Sequence, residues 1–118
     1  MRYLILLKSD GDFGMPPTEL FTAIGELGAE AVAAGVFVET GGLAPLDGST
    51  LVTLAGGEIT VSSEFEQSPA ETVAAYTIYD VESVEEVVAW TERFFEVHRK
   101  HWPVWSGKAE IRQIFNGM

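Results

Sequence analysis

Two stretches of this chain, Arg2 to Lys8 and Val73 to Val81, are apolar on both sides of an extended backbone. In the first, Tyr3, Ile5 and Leu7 alternate with Leu4 and Leu6; in the second, Ala74, Tyr76 and Ile78 alternate with Val73, Ala75, Thr77 and Tyr79. Side chains of a strand point alternately to the two faces of its sheet, so each of these strands needs cover on both. Only two segments of the chain have the period of an amphipathic helix. A pair of helices covers one sheet face, and the remaining apolar face predicts a homodimer packed sheet to sheet.

Taken in order, the elements alternate. After the first strand, Asp10 and Asp12 sit in a glycine-containing loop and read as turn residues, because further ligands at calcium-loop spacing are missing. Pro16, Pro17 and Thr18 open a helix that runs to about Ala34. Leu20, Phe21, Ile24, Leu27, Gly28, Ala31 and Val32 fall on its inner arc, and Gly35 ends it. Gly25 and Gly28, on or beside that arc, predict a close approach to a sheet or a ligand. Val36 to Glu39 reads as a strand leading into a loop from Thr40 to Pro45. Thr50–Leu54 and Glu58–Ser62 alternate around Gly56 and Gly57 as a hairpin.

The second helix starts at Ser83, which has Glu86 at capping-box spacing. Val84, Val87, Val88, Trp90, Thr91, Phe94, Phe95 and Val97 share one side of it, and the charged residues share the other. Pro103 prevents its continuation, and a closing strand carries Arg112. Strand, helix, strand, hairpin, strand, helix, strand is an α+β, ferredoxin-like order with an added hairpin. A chain of 118 residues accommodates it as a single domain spanning residues 1–118.

With 47% apolar and 21% charged residues, the composition is that of a soluble globular protein. The net charge of −11 is spread along the chain, which disfavours nucleic acid and anionic lipid as partners. No apolar run reaches membrane-spanning length. The N-terminus lacks a signal-peptide cleavage region, and cysteine is absent. The expected location is therefore the cytoplasm.

Several side chains are able to carry chemistry. His98 projects to the middle of the second helix's apolar arc and His101 to its edge, three residues on, so both face inward. Two imidazoles sharing a face suit an acid/base pair or half of a metal site, and a buried, hydrogen-bonded core histidine is the plainer alternative for His98. A zinc site needs three or four protein ligands, and no third ligand stands at a recognisable spacing; no metal and no cofactor are expected. Glu39, at a strand end, and Glu64 are candidate acids. Ser63, Tyr76, Trp102, Trp105 and Arg112 are candidate substrate contacts. Against these stand packing for the two tryptophans at the proline turn, and a cross-strand ion pair for Arg112.

The segments DFGMPPTELF, AAGVFVETGGLAP, AGGEITV, YDVESVEEVVAW and HRKHWPVWSGKAEIRQIF together resemble the YCII-related family, in particular its DGPF branch, over nearly the whole chain. The resemblance implies a dimeric α+β barrel of ferredoxin-like subunits with a cleft between helices and sheet. Members are mostly uncharacterised. Some are encoded beside extracytoplasmic-function sigma factors, and a few relatives look like small lyases or isomerases working without metal. The chain departs from the pattern where it matters most. Counting back from Tyr76, the positions of the family's Asp-Gly-Pro-Phe hold Ser63, Glu64, Phe65 and Glu66. The histidine that some relatives carry in the first helix, as part of a histidine–aspartate pair, is absent, so no catalytic dyad carries over.

Two functions of different class follow. One is a small-molecule-binding dimer acting as a cofactor-free lyase, dehydratase or isomerase by proton transfer in the cleft. The other is a non-catalytic accessory or sensor protein linked to transcriptional regulation. A carboxylate within hydrogen-bond reach of His98 or His101 in a cavity distinguishes the first. Histidines capped by backbone groups accord with the second.

Overall fold

In the computed structural model, which describes residues 1–9, 13–63 and 72–115, the chain runs β1 (Arg2–Lys8), α1 (Thr18–Ala33), β2 (Phe37–Gly42), β3 (Leu51–Ala55), β4 (Glu58–Ser62), β5 (Val73–Asp80), α2 (Val84–His101) and β6 (Lys108–Gln113). The order β2-β5-β1-β6, antiparallel throughout, makes one four-stranded sheet, and β3 and β4 pair separately. This mixed α+β arrangement accords with the ferredoxin-like order expected. The two strands that are apolar on both sides, β1 and β5, occupy the middle of the sheet.

Tyr3 and Ile5 of β1 and Tyr79 of β5 form the core with Ala31 of α1 and Val87 of α2, while Phe37, Trp90, Ala109 and Ile111 pack around them. Both helices therefore lie on one face. Residues directly opposite in an antiparallel pair share a face. Leu4 with Ile78 and Leu6 with Tyr76 thus point the other way, half-buried, alongside the β6 partners Arg112 and Glu110. Burying Val87 and Leu20 completely contributes about 1.5–3 kcal/mol each.

The helices are punctuated as expected. Ser83 Oγ accepts from the Glu86 backbone N–H at 3.3 Å, and the Glu86 carboxylate reaches back to the Glu82 N–H at 3.1 Å. The first bond satisfies a donor that the first turn leaves unpaired, and the second ties down the residue before the cap. At the end of α1, Gly35 N–H bonds Val32 O and Val36 N–H bonds Ala31 O, the reciprocal pair of a Schellman turn.

Four expectations are corrected. α1 buries a narrow line, Leu20, Leu27 and Ala31, so Phe21 and Val32 lie outside it, 60% and 62% exposed. On α2 the buried line is Val87, Thr91 and His98, leaving Val84 and Val88 exposed at its flanks. A side chain added at Gly25 or Gly28 meets nothing within 4 Å, so neither glycine serves a close approach. Gly41 and Gly42 belong to β2 instead of a loop. A Cβ at Gly41 would stand 2.8 Å from Tyr76 Cε1, because the tyrosine ring lies across the glycine.

Gly107 has a similar task where the chain turns from α2 into β6. A Cβ there would stand 2.7 Å from the Lys8 carbonyl oxygen and 2.6 Å from the Trp105 ring. The carbonyl is backbone and has little room to shift, so Gly107→Ala overpacks the turn. The variant is expected to lose about 1–3 kcal/mol of stability in urea denaturation; an unchanged midpoint would show that the turn yields freely.

Candidate functional site

On the helix side, Tyr79 and Trp90 stand at the centre. Cross-strand pairing brings Phe37 beside Tyr79, and their rings meet edge to face at 6.3 Å. Trp90 of α2 stacks on Tyr79 at 6.1 Å and 19°, and the Arg93 guanidinium covers the indole at 5.0 Å. Arg93 is held in turn by an ion pair with Glu30 of α1. Burial pushes the Tyr79 phenol above its ordinary pKa, with Arg93 opposing in part, so it stays a neutral O–H.

Between α2 and the sheet lies a pocket of about 80 Å³, lined by Ile5, Leu7 and Ala75 from the sheet, Trp90, Thr91 and Phe94 from the helix, and a ridge of hydroxyls. Thr40 Oγ1 donates to the Tyr76 carbonyl at 2.9 Å and meets Thr77 Oγ1 at 3.0 Å. Since the Thr40 proton is spent on the carbonyl, Thr77 is the donor between the two. Thr91 donates to Val87 O at 2.9 Å. All three threonines are therefore committed as donors and retain acceptor lone pairs. Every lining residue is uncharged. The arrangement accepts hydrogen bonds from a neutral guest and provides no counter-ion for an anion.

The sequence-predicted residues distribute around this pocket. Tyr76 O–H donates to Glu39 Oε2 at 2.7 Å on the opposite face of the sheet. That bond, followed by desolvation and the carboxylate's charge, raises the Tyr76 pKa. His98 is 6% exposed on the helix side, and its Nδ1 stands 2.9 Å from the Phe94 carbonyl. A carbonyl only accepts, so Nδ1 carries the proton and Nε2 is the basic nitrogen. Burial lowers the His98 pKa, and the bond to Phe94 offsets part of that. Glu39 and His98 thus lie on opposite faces of one sheet and cannot meet one substrate within a subunit.

The two histidines also separate. His101 lies half-buried in the groove between α1 and α2, beside Glu26, Glu30 and Lys100, whereas His98 sits between Phe94 at 4.5 Å and Trp105 at 4.4 Å. Trp105 also meets Phe95 at 5.8 Å, and Trp102 meets Phe13 edge to face at 6.2 Å. Arg112 is 70% exposed and stands 4.0 Å from Glu110 on its own strand instead of across strands. Ser63 is exposed just beyond β4. Glu64, with Phe65 and Glu66 of the replaced motif, and the turn residues Asp10 and Asp12 lie outside the described residues.

Among the described residues, no three His, Asp or Glu side chains converge as a metal site would require, and no helix is long and apolar enough to cross a membrane. The pocket residues Thr40, Thr77, Tyr79, Trp90 and Thr91 were missed in the sequence as a site. Tyr79, Trp90 and Thr91 each fell on a predicted apolar face, and a pocket wall is written in the same residues as a core.

No protein-family model matches the chain, and no curated protein matches it. Among solved structures it is similar to a 5-chloro-2-hydroxyhydroquinone dehydrochlorinase from Burkholderia phenoliruptrix AC1100, in complex with 2,5-dihydroxybenzoquinone, at 15% identity and a TM-score of 0.43, covering 99% of this chain and 96% of that one. At that identity and score the likeness carries no argument about this chain's chemistry.

Two titrations follow from the geometry. The unfolded imidazole titrates near pH ~6.5. Folded His98 binds its proton less readily, so the unfolded state takes up more protons as pH falls through that value, and stability drops. The melting temperature is expected to fall further between about pH 7.5 and about pH 5.5 in the native protein than in His98→Gln; equal falls would remove His98 from the account. Separately, ultraviolet difference titration of Glu39→Gln is expected to move one tyrosine back towards ~10, and an unchanged curve would show that the 2.7 Å bond does not persist in solution.

Proposed function

We propose that this protein binds a small, uncharged, hydroxyl-bearing molecule between α2 and the sheet, as a homodimer of the YCII-related type. The observation that carries the reading is the uncharged pocket in which Thr40, Thr77 and Thr91 have spent their protons and keep their lone pairs. The motifs shared with the DGPF branch support the family and its dimeric barrel. The half-buried apolar face of the sheet supports a second copy as its cover.

Size restricts the guest. About 80 Å³ is room for roughly two or three waters at ~30 Å³ each, and a dry cavity of ~150 Å³ holds benzene. A short alcohol or diol fits as the pocket stands. A phenolic ring exceeds that volume and would extend out of the pocket.

Binding without catalysis is the better-supported class, a sensor or accessory role. His98 is capped by backbone, and no hydrogen bond or ion pair of the described residues joins it to a carboxylate. One observation favours proton-transfer catalysis as the second reading. The fixed tautomer and lowered pKa keep Nε2 neutral and basic at pH ~7, as a lyase, dehydratase or isomerase base needs.

Titrating the protein with short diols and then phenols, while following tryptophan fluorescence, tests the reading. Trp90 lines the pocket, so its emission should change on binding. Thr77→Val removes an acceptor at nearly constant volume and is expected to weaken binding about 10-fold, the equivalent of ~1.4 kcal/mol. Undiminished binding to Thr77→Val would move the site elsewhere. Turnover of a bound diol that His98→Gln abolishes would select the catalytic reading.

A further inference from the structure

The β3–β4 hairpin is the part of the molecule that its own core does not explain. Its two strands join through Gly56 and Gly57, both at positive φ, in the two-residue turn that favours a regular hairpin. The pairing sets Val52 opposite Val61 and Leu54 opposite Ile59, so these four share one face. They are 63%, 70%, 72% and 70% exposed in that order. The reverse face carries Thr53, Thr60, Ser62 and Glu58 with Leu51 and Ala55. One face of the ribbon is thus wholly apolar and uncovered, and the other is mixed.

An isolated two-stranded hairpin is marginal in water, and an exposed apolar edge invites uncontrolled pairing. The ribbon also stands away from the body. The radius of gyration is 16.4 Å, against about 13.5 Å for a compact chain of this length, and the molecule measures 47 × 40 × 18 Å. The arm reaches outward instead of folding back over its own sheet.

We infer that the hairpin is a clasping arm whose face of Val52, Leu54, Ile59 and Val61 packs on a second copy of this chain. Two features select that occupant. Among the described residues, two strand faces lie apart from the helix-side core, the arm and the open sheet face around Leu4, Leu6 and Ile78. A two-fold axis lets each copy cover the other's, closing the assembly with neither left over. Charge points the same way. Two copies at −11 each repel over most of their surface, whereas the arm's face of Val52, Leu54, Ile59 and Val61 carries no charge and acids of the sheet face stand against partners, Glu39 against Tyr76 and Glu110 against Lys8 and Arg112. The inference rests on the reading that a second copy covers the open sheet face, and it adds that the arm is required for that dimer.

Analytical ultracentrifugation of the native chain and of Leu54→Ser/Ile59→Ser tests it, with circular dichroism to confirm the subunit fold. Neither residue touches the subunit's core, so the variant is expected to fold. The native chain should sediment as a dimer, and the variant should dissociate at least about 30-fold more readily. A dimer of unchanged dissociation constant in the variant would overturn the arm while leaving the sheet-face dimer standing. A second variant, Leu4→Ser/Leu6→Ser, that weakens only that dimer would locate the contact on the sheet alone. A monomeric native chain would overturn both readings.

Discussion

The stack of Tyr79 on Trp90 is the contact on which the rest of this structure depends. Tyr79 stands on a central strand, paired with Tyr3 on one side and Phe37 on the other, and Trp90 is the residue of α2 that meets it. The stack couples the sheet to the second helix, and the Arg93–Glu30 ion pair extends the coupling to the first. Area burial of two aromatics supplies most of the energy, and the ring geometry adds about 0.5–1.5 kcal/mol. The exposed ion pair contributes little to stability. It orients the guanidinium over the indole and so keeps one wall of the pocket in place.

That coupling explains what the sequence showed and what it hid. The alternation in β1 and β5 marked both as strands needing cover on both faces, which the middle of the sheet gives them, and the capping-box spacing at Ser83 located the start of α2. Face assignments on the helices were coarser, because a projection counts every apolar residue within an arc as inward. α1 buries only the line Leu20–Leu27–Ala31, so Phe21 and Val32 went astray. Gly41 misled in a different way. A glycine pair after a strand resembles a turn, whereas Gly41 is required by a tyrosine ring crossing from β5, a contact between residues far apart in the chain.

Site residues were less legible than fold, for a physical reason. Charged and titratable groups catch the eye in a sequence, yet the pocket here is built from Thr, Tyr and Trp. His98 was correctly expected to face inward. Its environment of Phe94, Trp105 and a carbonyl is nonetheless the environment of a packed histidine. Imidazole serves there as a flat, weakly polar ring whose single committed proton caps a helical carbonyl.

The proposed cover of the open sheet face depends on the pair Glu39–Tyr76. A lone carboxylate on a surface destined for burial costs several kcal/mol of lost hydration unless a donor replaces the water. The Tyr76 hydroxyl is such a donor, already in place at 2.7 Å, and the ring that carries it fills the space left by Gly41. Around them, Leu4, Leu6 and Ile78 present hydrocarbon. Another acid of this face, Glu110, is likewise met, by Lys8 at 3.3 Å, so the face can lose water at lower cost than the helices, whose exposed acids, such as Glu26, Glu85 and Glu92, keep the opposite side of the molecule wet. The proposed association through the open face is thus favoured by acids that already hold partners as well as by apolar area, and it would leave the helix face free for the proposed ligand.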